Sequence, residues 1–205
     1  MRIYTSANNY NPNLPTVPIY GFADDFNRAA SDTLGVTAEG KSWVIRDAAS
    51  STSVWGTTGT GTAKMKSSPT STHSAVVDAQ ASDGTLTAVL KTFDQASSSN
   101  RFGLAFRHQN VDNYFYFETV YPSTSPFRLR KTLAGVSTTV ATSTISPNPG
   151  DVIEIVLSGT SITAKVNGVI ALTATDSSMA NEKYHGMFAF AGSDAEWDSV
   201  QFVAA

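Results

Sequence analysis

The segment Arg101–Arg130, RFGLAFRHQNVDNYFYFETVYPSTSPFRLR, sorts its side chains by parity. Phe102, Leu104 and Phe106 alternate with Arg101, Gly103, Ala105 and Arg107. Phe115 and Phe117 alternate with Tyr114, Tyr116 and Glu118, and Phe127 and Leu129 with Arg128 and Arg130. Successive strand residues point to opposite faces. Three strands therefore share a Phe/Leu face that reads as core. Their opposite face collects Arg101, Arg107, Tyr114, Tyr116, Arg128 and Arg130. Solvent-side strand positions are commonly Thr, Ser or Lys, whereas Tyr and Arg are enriched where proteins meet partners. These six residues are the candidate ligand-binding or interface surface.

The same reading extends along the chain. Strands are expected at 23–26, 43–47, 54–55, 63–66, 74–79 and 85–93, and again at 101–108, 114–120, 127–132 and 136–142. Five more follow at 152–157, 162–166, 169–173, 184–191 and 197–203. Turn signals separate them: Asp83-Gly84, Ala134-Gly135, Asn148-Pro149-Gly150, Ser158-Gly159 and Asn167-Gly168. Asn167-Gly168 is the sharpest, because Asn-Gly tolerates the positive φ angles of a type I′ hairpin. No stretch of ten residues carries a helical period; short helical turns fit only near 31–34 or 177–181. Many short strands without helices predict an all-β, antiparallel sandwich of jelly-roll type over residues 21–205. Residues 1–20 stand apart. Pro12, Pro15 and Pro18 favour an extended path, and Tyr4, Tyr10, Ile19 and Tyr20 could dock, so this segment reads as an extended arm.

Composition narrows the function. The chain has 205 residues, 41% hydrophobic and 15% charged, enough for one domain with a sizeable core. A net charge of −3 gives nucleic-acid binding no electrostatic support. The absence of cysteine removes disulfides, thiolate metal sites and cysteine nucleophiles. No apolar run approaches a membrane span. Residues 1–20 lack a contiguous hydrophobic stretch, so no signal peptide is read. The expectation is a protein made in the cytoplasm and kept there or released by lysis.

Several segments resemble the concanavalin A-like (laminin G-like) jelly-roll domains of bacteriophage virion proteins, especially those of phages of actinobacteria. They are Asp24-Asp25-Phe26-Asn27-Arg28, Leu34-Gly35, Gly40-x-x-Trp43, the strand Phe102–Arg107 with Asn113-Tyr114-Phe115, Leu129-Arg130-Lys131, Gly150–Ile153 and the closing Trp197-Asp198 to Phe202. The likeness covers residues 22–205. It implies a non-enzymatic virion component of the head, tail or fibres, with other virion proteins as partners, a homo-oligomer, and contact with host surface glycans through the Tyr/Arg face. The alternative is a carbohydrate-binding module for a bacterial surface polysaccharide.

Catalytic chemistry is poorly represented. Glycosidases of this general fold set carboxylates on one strand face, as Glu-x-Asp-x-x-Glu. Here Glu39, Glu118, Glu154, Glu182 and Glu196 are scattered, and Asp151 and Glu154 have opposite parity. No Gly-x-Ser-x-Gly elbow occurs. His73, His108 and His185 lie in separate segments without ligand spacing and read as strand-end or surface residues. The three tryptophans read as packing. Asp24 and Asp25 in the first strand and Asp198 in the last are candidate ligands of a structural Ca²⁺, since hard oxygen donors can tie neighbouring terminal strands together. The competing reading has these acids capping turns or pairing with Arg28.

Overall fold

A computed structural model describes residues 20–47, 54–67, 72–95, 100–124 and 126–205. The arm read over residues 1–20 lies outside the described residues except for Tyr20. The first seven strands are β1 (Gly21–Asp24), β2 (Val44–Asp47), β3 (Val54–Thr57), β4 (Ala63–Ser67), β5 (Thr72–Asp78), β6 (Gly84–Thr92) and β7 (Asn100–Asn110). Then come β8 (Asn113–Tyr121), β9 (Phe127–Leu133), β10 (Val136–Ser143) and β11 (Val152–Ser158). β12 (Ser161–Val166), β13 (Val169–Thr175), β14 (Tyr184–Phe190) and β15 (Glu196–Ala204) complete the order. Every expected strand is present. The first is displaced by two residues, to Gly21–Asp24, because its ladder is set by β15, with Gly21 opposite Val203 and Asp24 opposite Val200. No helix occurs among the described residues, and residues 178–181 form a plain turn.

Two antiparallel sheets make the sandwich. One runs β13-β12-β11-β6-β15-β4-β3, with β1 added to β15; the other runs β10-β9-β8-β7-β14-β5-β2. Each hairpin brings sequence neighbours together, but β7 pairs β14 and β6 pairs β15 across long stretches of chain. The inner faces meet in one core. Phe102, Leu104, Phe106, Phe115, Phe117, Phe127 and Leu129 all belong to it, as their parity required. Phe117 stacks on Phe127 at 5.0 Å and Phe106 on Phe115 at 5.7 Å, while Phe102 meets Trp197 of the opposite sheet edge-on. Trp55 and Trp197 are buried, and Trp43 packs half-buried against this core.

The Asn167-Gly168 hairpin forms as its sequence dictates. Both residues have positive φ, 51° and 78°. The Asn167 side chain also ties down the neighbouring strand: Oδ1 accepts the Val152 amide at 2.9 Å, and Nδ2 donates to Asp151 at 2.8 Å. Asn167→Ala should lower stability by about 2 kcal/mol in a urea titration, from a left-handed Ala and two lost bonds. Asn167→Gly restores the backbone but not the bonds and should lie between the two. Equal stability of all three proteins would show that the side chain contributes nothing.

Candidate functional site

The outer face of the seven-stranded sheet carries the Tyr/Arg set, and strand register fixes who neighbours whom. Tyr116 lies opposite Arg130 on β9 and Ala105 on β7; Glu118 lies opposite Arg128 and Gly103. On β14, Phe188 lies opposite Gly103 and Gly186 opposite Ala105. Arg101, Tyr114, Tyr116, Arg128 and Arg130 thus share one face.

Arg107 does not join them. The ladder between β7 and β8 slips after the Phe106–Phe115 pair and resumes at Asn110–Asn113. Within this bulge Arg107 takes a positive φ of 46°. Its side chain is fully buried and leaves the face for the end of the sandwich. There Nη2 donates to Asp83 at 3.1 Å and to the Gly159 carbonyl at 2.6 Å. His108 takes the vacated position and stacks on Tyr114 at 4.5 Å. Alternation alone cannot place a side chain across a bulge, because an extra residue inverts the parity.

The tyrosines are not an open platform. Tyr114 is 4% exposed and Tyr116 1%. With Val76, Ala105 and Phe188 they form a second apolar cluster, against which Tyr184 packs. Between these rings the face carries the small residues Gly103, Ala105 and Gly186. Large rings can lie flat there: Tyr116 stacks on Phe188 at 4.5 Å with 22° between planes. Burial also raises the Tyr116 phenol above its usual range. The expected aromatic contact surface is therefore a packed layer.

What this layer supports is an ionic assembly around Glu118. Glu118 is fully buried on the outer face. Its Oε2 accepts Arg101 Nε at 3.1 Å and Nη2 at 2.7 Å, and its Oε1 accepts Arg130 Nη1 at 3.4 Å. The two arginine side chains remain 25% and 21% exposed. Arg101 rests over the Phe190 ring at 4.5 Å, Arg130 over Tyr116 at 5.7 Å, and Arg128 donates to Ser123 at 3.2 Å. A buried carboxylate with two guanidiniums fixes both cations side by side. Sequence reasoning placed Glu118 on this face but missed its role. The signal was its parity with Tyr114 and Tyr116, and its place among the arginines of the flanking strands.

The three candidate calcium ligands are not one donor set. Asp24 is buried and already fully engaged: Oδ1 accepts the Phe26 amide, and Oδ2 accepts Arg28 at 2.6 Å and the Trp43 indole at 2.8 Å. Asp25 accepts the Asn27 amide, and Asp198 pairs with Lys91 at 3.5 Å. Among the described residues no three His, Cys, Asp or Glu side chains are grouped to hold a metal ion. The turn-capping and Arg28-pairing reading of Asp24 and Asp25 is the one the geometry follows.

The histidines depart from the surface reading too. His73, His108 and His185 are all buried. His185 Nε2 lies 3.1 Å from the Ala81 carbonyl, while Nδ1 accepts the Arg107 amide at 3.4 Å. Only the neutral tautomer carrying its proton on Nε2 satisfies both. Burial, reinforced by Arg107, pushes its pKa down to about 3. Burial and Arg46 do the same to His108.

Comparison with known proteins bears on this geometry. No family model and no curated protein matches the chain. Solved structures do. The carbohydrate-binding module CBM66 from Bacillus subtilis is 14% identical, covers 75% of this chain and 95% of its own, and has a TM-score of 0.57. A β-glucanase from Bacillus licheniformis is 13% identical over 90% of this chain and 98% of its own, with a TM-score of 0.61. The GH43 protein BlXynB from Bacillus licheniformis, 16% identical, covers 94% of this chain but only 41% of its own, with a TM-score of 0.66.

The fold is that of the concanavalin A-like jelly rolls. Its neighbours include both glycoside hydrolases and a carbohydrate-binding module, so architecture alone does not choose between these roles. Glu118 is the only Asp or Glu in β7, β8, β9 and β14, and it is bound to two arginines.

Proposed function

We propose that this chain is a non-catalytic carbohydrate-binding domain. Its surface is the Arg101–Glu118–Arg130 assembly with Arg128 beside it, and its ligand is an acidic glycan of a bacterial surface. The observation that carries the reading is the buried Glu118 holding two partly exposed guanidiniums on one sheet face. Two guanidiniums, Arg101 and Arg130, against the single Glu118 carboxylate leave this assembly cationic. Arg101 Nη1 and Arg130 Nη2 lie outside the bonds to Glu118 and can donate to a uronate carboxylate or to hydroxyls. Glycosidic hydrolysis needs a second carboxyl roughly 5–10 Å away, and these strands supply none. Fold neighbours that bind or cleave carbohydrate support the reading, whereas no contact among the described residues speaks for a virion structural role.

The test is retention on immobilised polygalacturonate, with dextran as the uncharged control. The double variant Arg101→Ala/Arg130→Ala should lose at least about tenfold in affinity, and binding by the unaltered protein should weaken with salt. Equal retention of both proteins on polygalacturonate would remove this face from the reading.

A further inference from the structure

The opposite sheet carries a second feature, a cleft of about 410 Å³. Its floor is the outer surface of β6 and β15, where Thr87 lies opposite Gln201 and Val89 opposite Ser199. These residues alternate with the core-facing Leu86, Ala88, Val200 and Phe202, so all four stand outward. The wall is the loop that follows β1. It closes in a tight hairpin, with Val36 bridging Ser42 and the Thr37 amide donating to Lys41. The hairpin is pinned to β1 from both sides: Ala38 donates to the Ala23 carbonyl at 3.0 Å, and the Ala23 amide donates to Glu39 at 2.9 Å. Arg28 adds a cross-brace from Asp24 to the Val36 carbonyl at 3.2 Å. The buried Asp24, which holds Arg28 and Trp43 together, is thus the post on which this wall stands.

Because the wall is braced by backbone and charge-assisted bonds, the cleft exists before any ligand arrives, which limits the ordering cost of binding. Its chemistry is mixed and mild. Hydroxyls of Thr87 and Ser199 and the Gln201 carboxamide offer donors and acceptors. Val89 and the half-exposed Val36 offer apolar surface. Arg28 is neutralised by Asp24, which leaves the exposed Asp25 as the unpaired charge of the lining. An anionic ligand would meet net negative charge here. A neutral ring with hydroxyls on its edges and C–H groups on its faces matches both halves of the lining, and the volume falls in the range of small-molecule sites.

We infer that this cleft binds a neutral saccharide unit, as a site separate from the cationic face of the other sheet. The inference rests on the carbohydrate-binding reading of the chain and extends it. The domain then grips glycan from both faces, one site taking acidic and the other neutral units, so that one copy can engage two points of a polysaccharide layer and gain avidity.

The experiment uses the full chain, fluorescently labelled, on an array of neutral, amino-sugar and uronic-acid oligosaccharides. Three proteins are compared: the unaltered chain, Ser199→Trp, which fills the floor of the cleft, and Arg101→Ala/Arg130→Ala. Gln201→Trp, at an exposed position, replaces Ser199→Trp if the latter fails to fold by thermal melting. The expected result is binding to neutral oligosaccharides that the cleft variant loses by at least about tenfold and the arginine variant keeps. Neutral binding that survives the folded Trp variant overturns the cleft and leaves the carbohydrate reading standing. Binding of uronic-acid glycans alone overturns the cleft and supports the cationic face. No binding of any glycan by the unaltered chain overturns both.

Discussion

Gly103→Ala is expected to unfold the domain or to cost it at least about 4 kcal/mol, although it adds a single methyl group. A Cβ at this position would stand 1.9 Å from the Phe117 carbonyl oxygen and 3.0 Å from the Glu118 Cα, both backbone atoms of the adjoining strand. Neither can yield without parting β7 from β8. That pair lies in the interior of its sheet, between β9 and β14, and also positions Glu118 opposite Gly103. Gly186 repeats the situation on β14, with 2.1 Å to the Ala75 carbonyl. The control is Gly61→Ala, where φ is 77° but nothing lies within 4 Å. That change should cost only about 1 kcal/mol, the strain of a left-handed Ala. Urea titrations of the three proteins separate steric exclusion from backbone angle. Similar midpoints for the two variants would mean that the β7–β8 pair opens at little cost.

Mild acid should destabilise the protein well before its carboxylates titrate. His108 and His185 have folded pKa values near 3, against about 6.5 for an unfolded chain. The folded state therefore keeps both rings neutral while the unfolded state takes up protons. The stabilisation is complete above the unfolded pKa and is lost progressively as pH falls from about 6.5 toward 3. By linkage the two rings together should remove on the order of a few kcal/mol between pH 7 and 4.5. The cause is structural. His185 stacks on Phe202 at 4.2 Å with Arg107 close by, and His108 stacks on Tyr114 within reach of Arg46. His108→Phe keeps an aromatic ring against Tyr114 and should halve the slope of stability against pH over this window. A slope unchanged in that variant would show that His108 titrates like a solvated histidine.

Much of this molecule follows from local pattern. Period-two alternation in β7, β8 and β9 placed seven Phe and Leu side chains in the core, and the same parity put Tyr114, Tyr116, Arg101, Arg128 and Arg130 on the opposite face. Asn167-Gly168 specified its hairpin because its conformational demands are met by the two residues themselves. The strand positions and the all-β class likewise depend on short-range steric preference, which a single sequence states directly.

The remainder depended on contacts between segments far apart in the chain. A bulge, which alternation cannot anticipate, turned Arg107 away from the face and brought His108 onto it. Tyr114 and Tyr116 sit on the predicted side but are buried. Gly103, Ala105 and Gly186, from two strands some eighty residues apart in sequence, leave room for rings to lie flat. Asp24 became a bracing post because Arg28 and Trp43 converge on it. Sequence by itself determined which side of each strand faces the core, since that is a property of the chain's own geometry. Only the tertiary structure decided which charges are paired and which rings are covered, because pairing and burial are properties of neighbours that the chain acquires on folding.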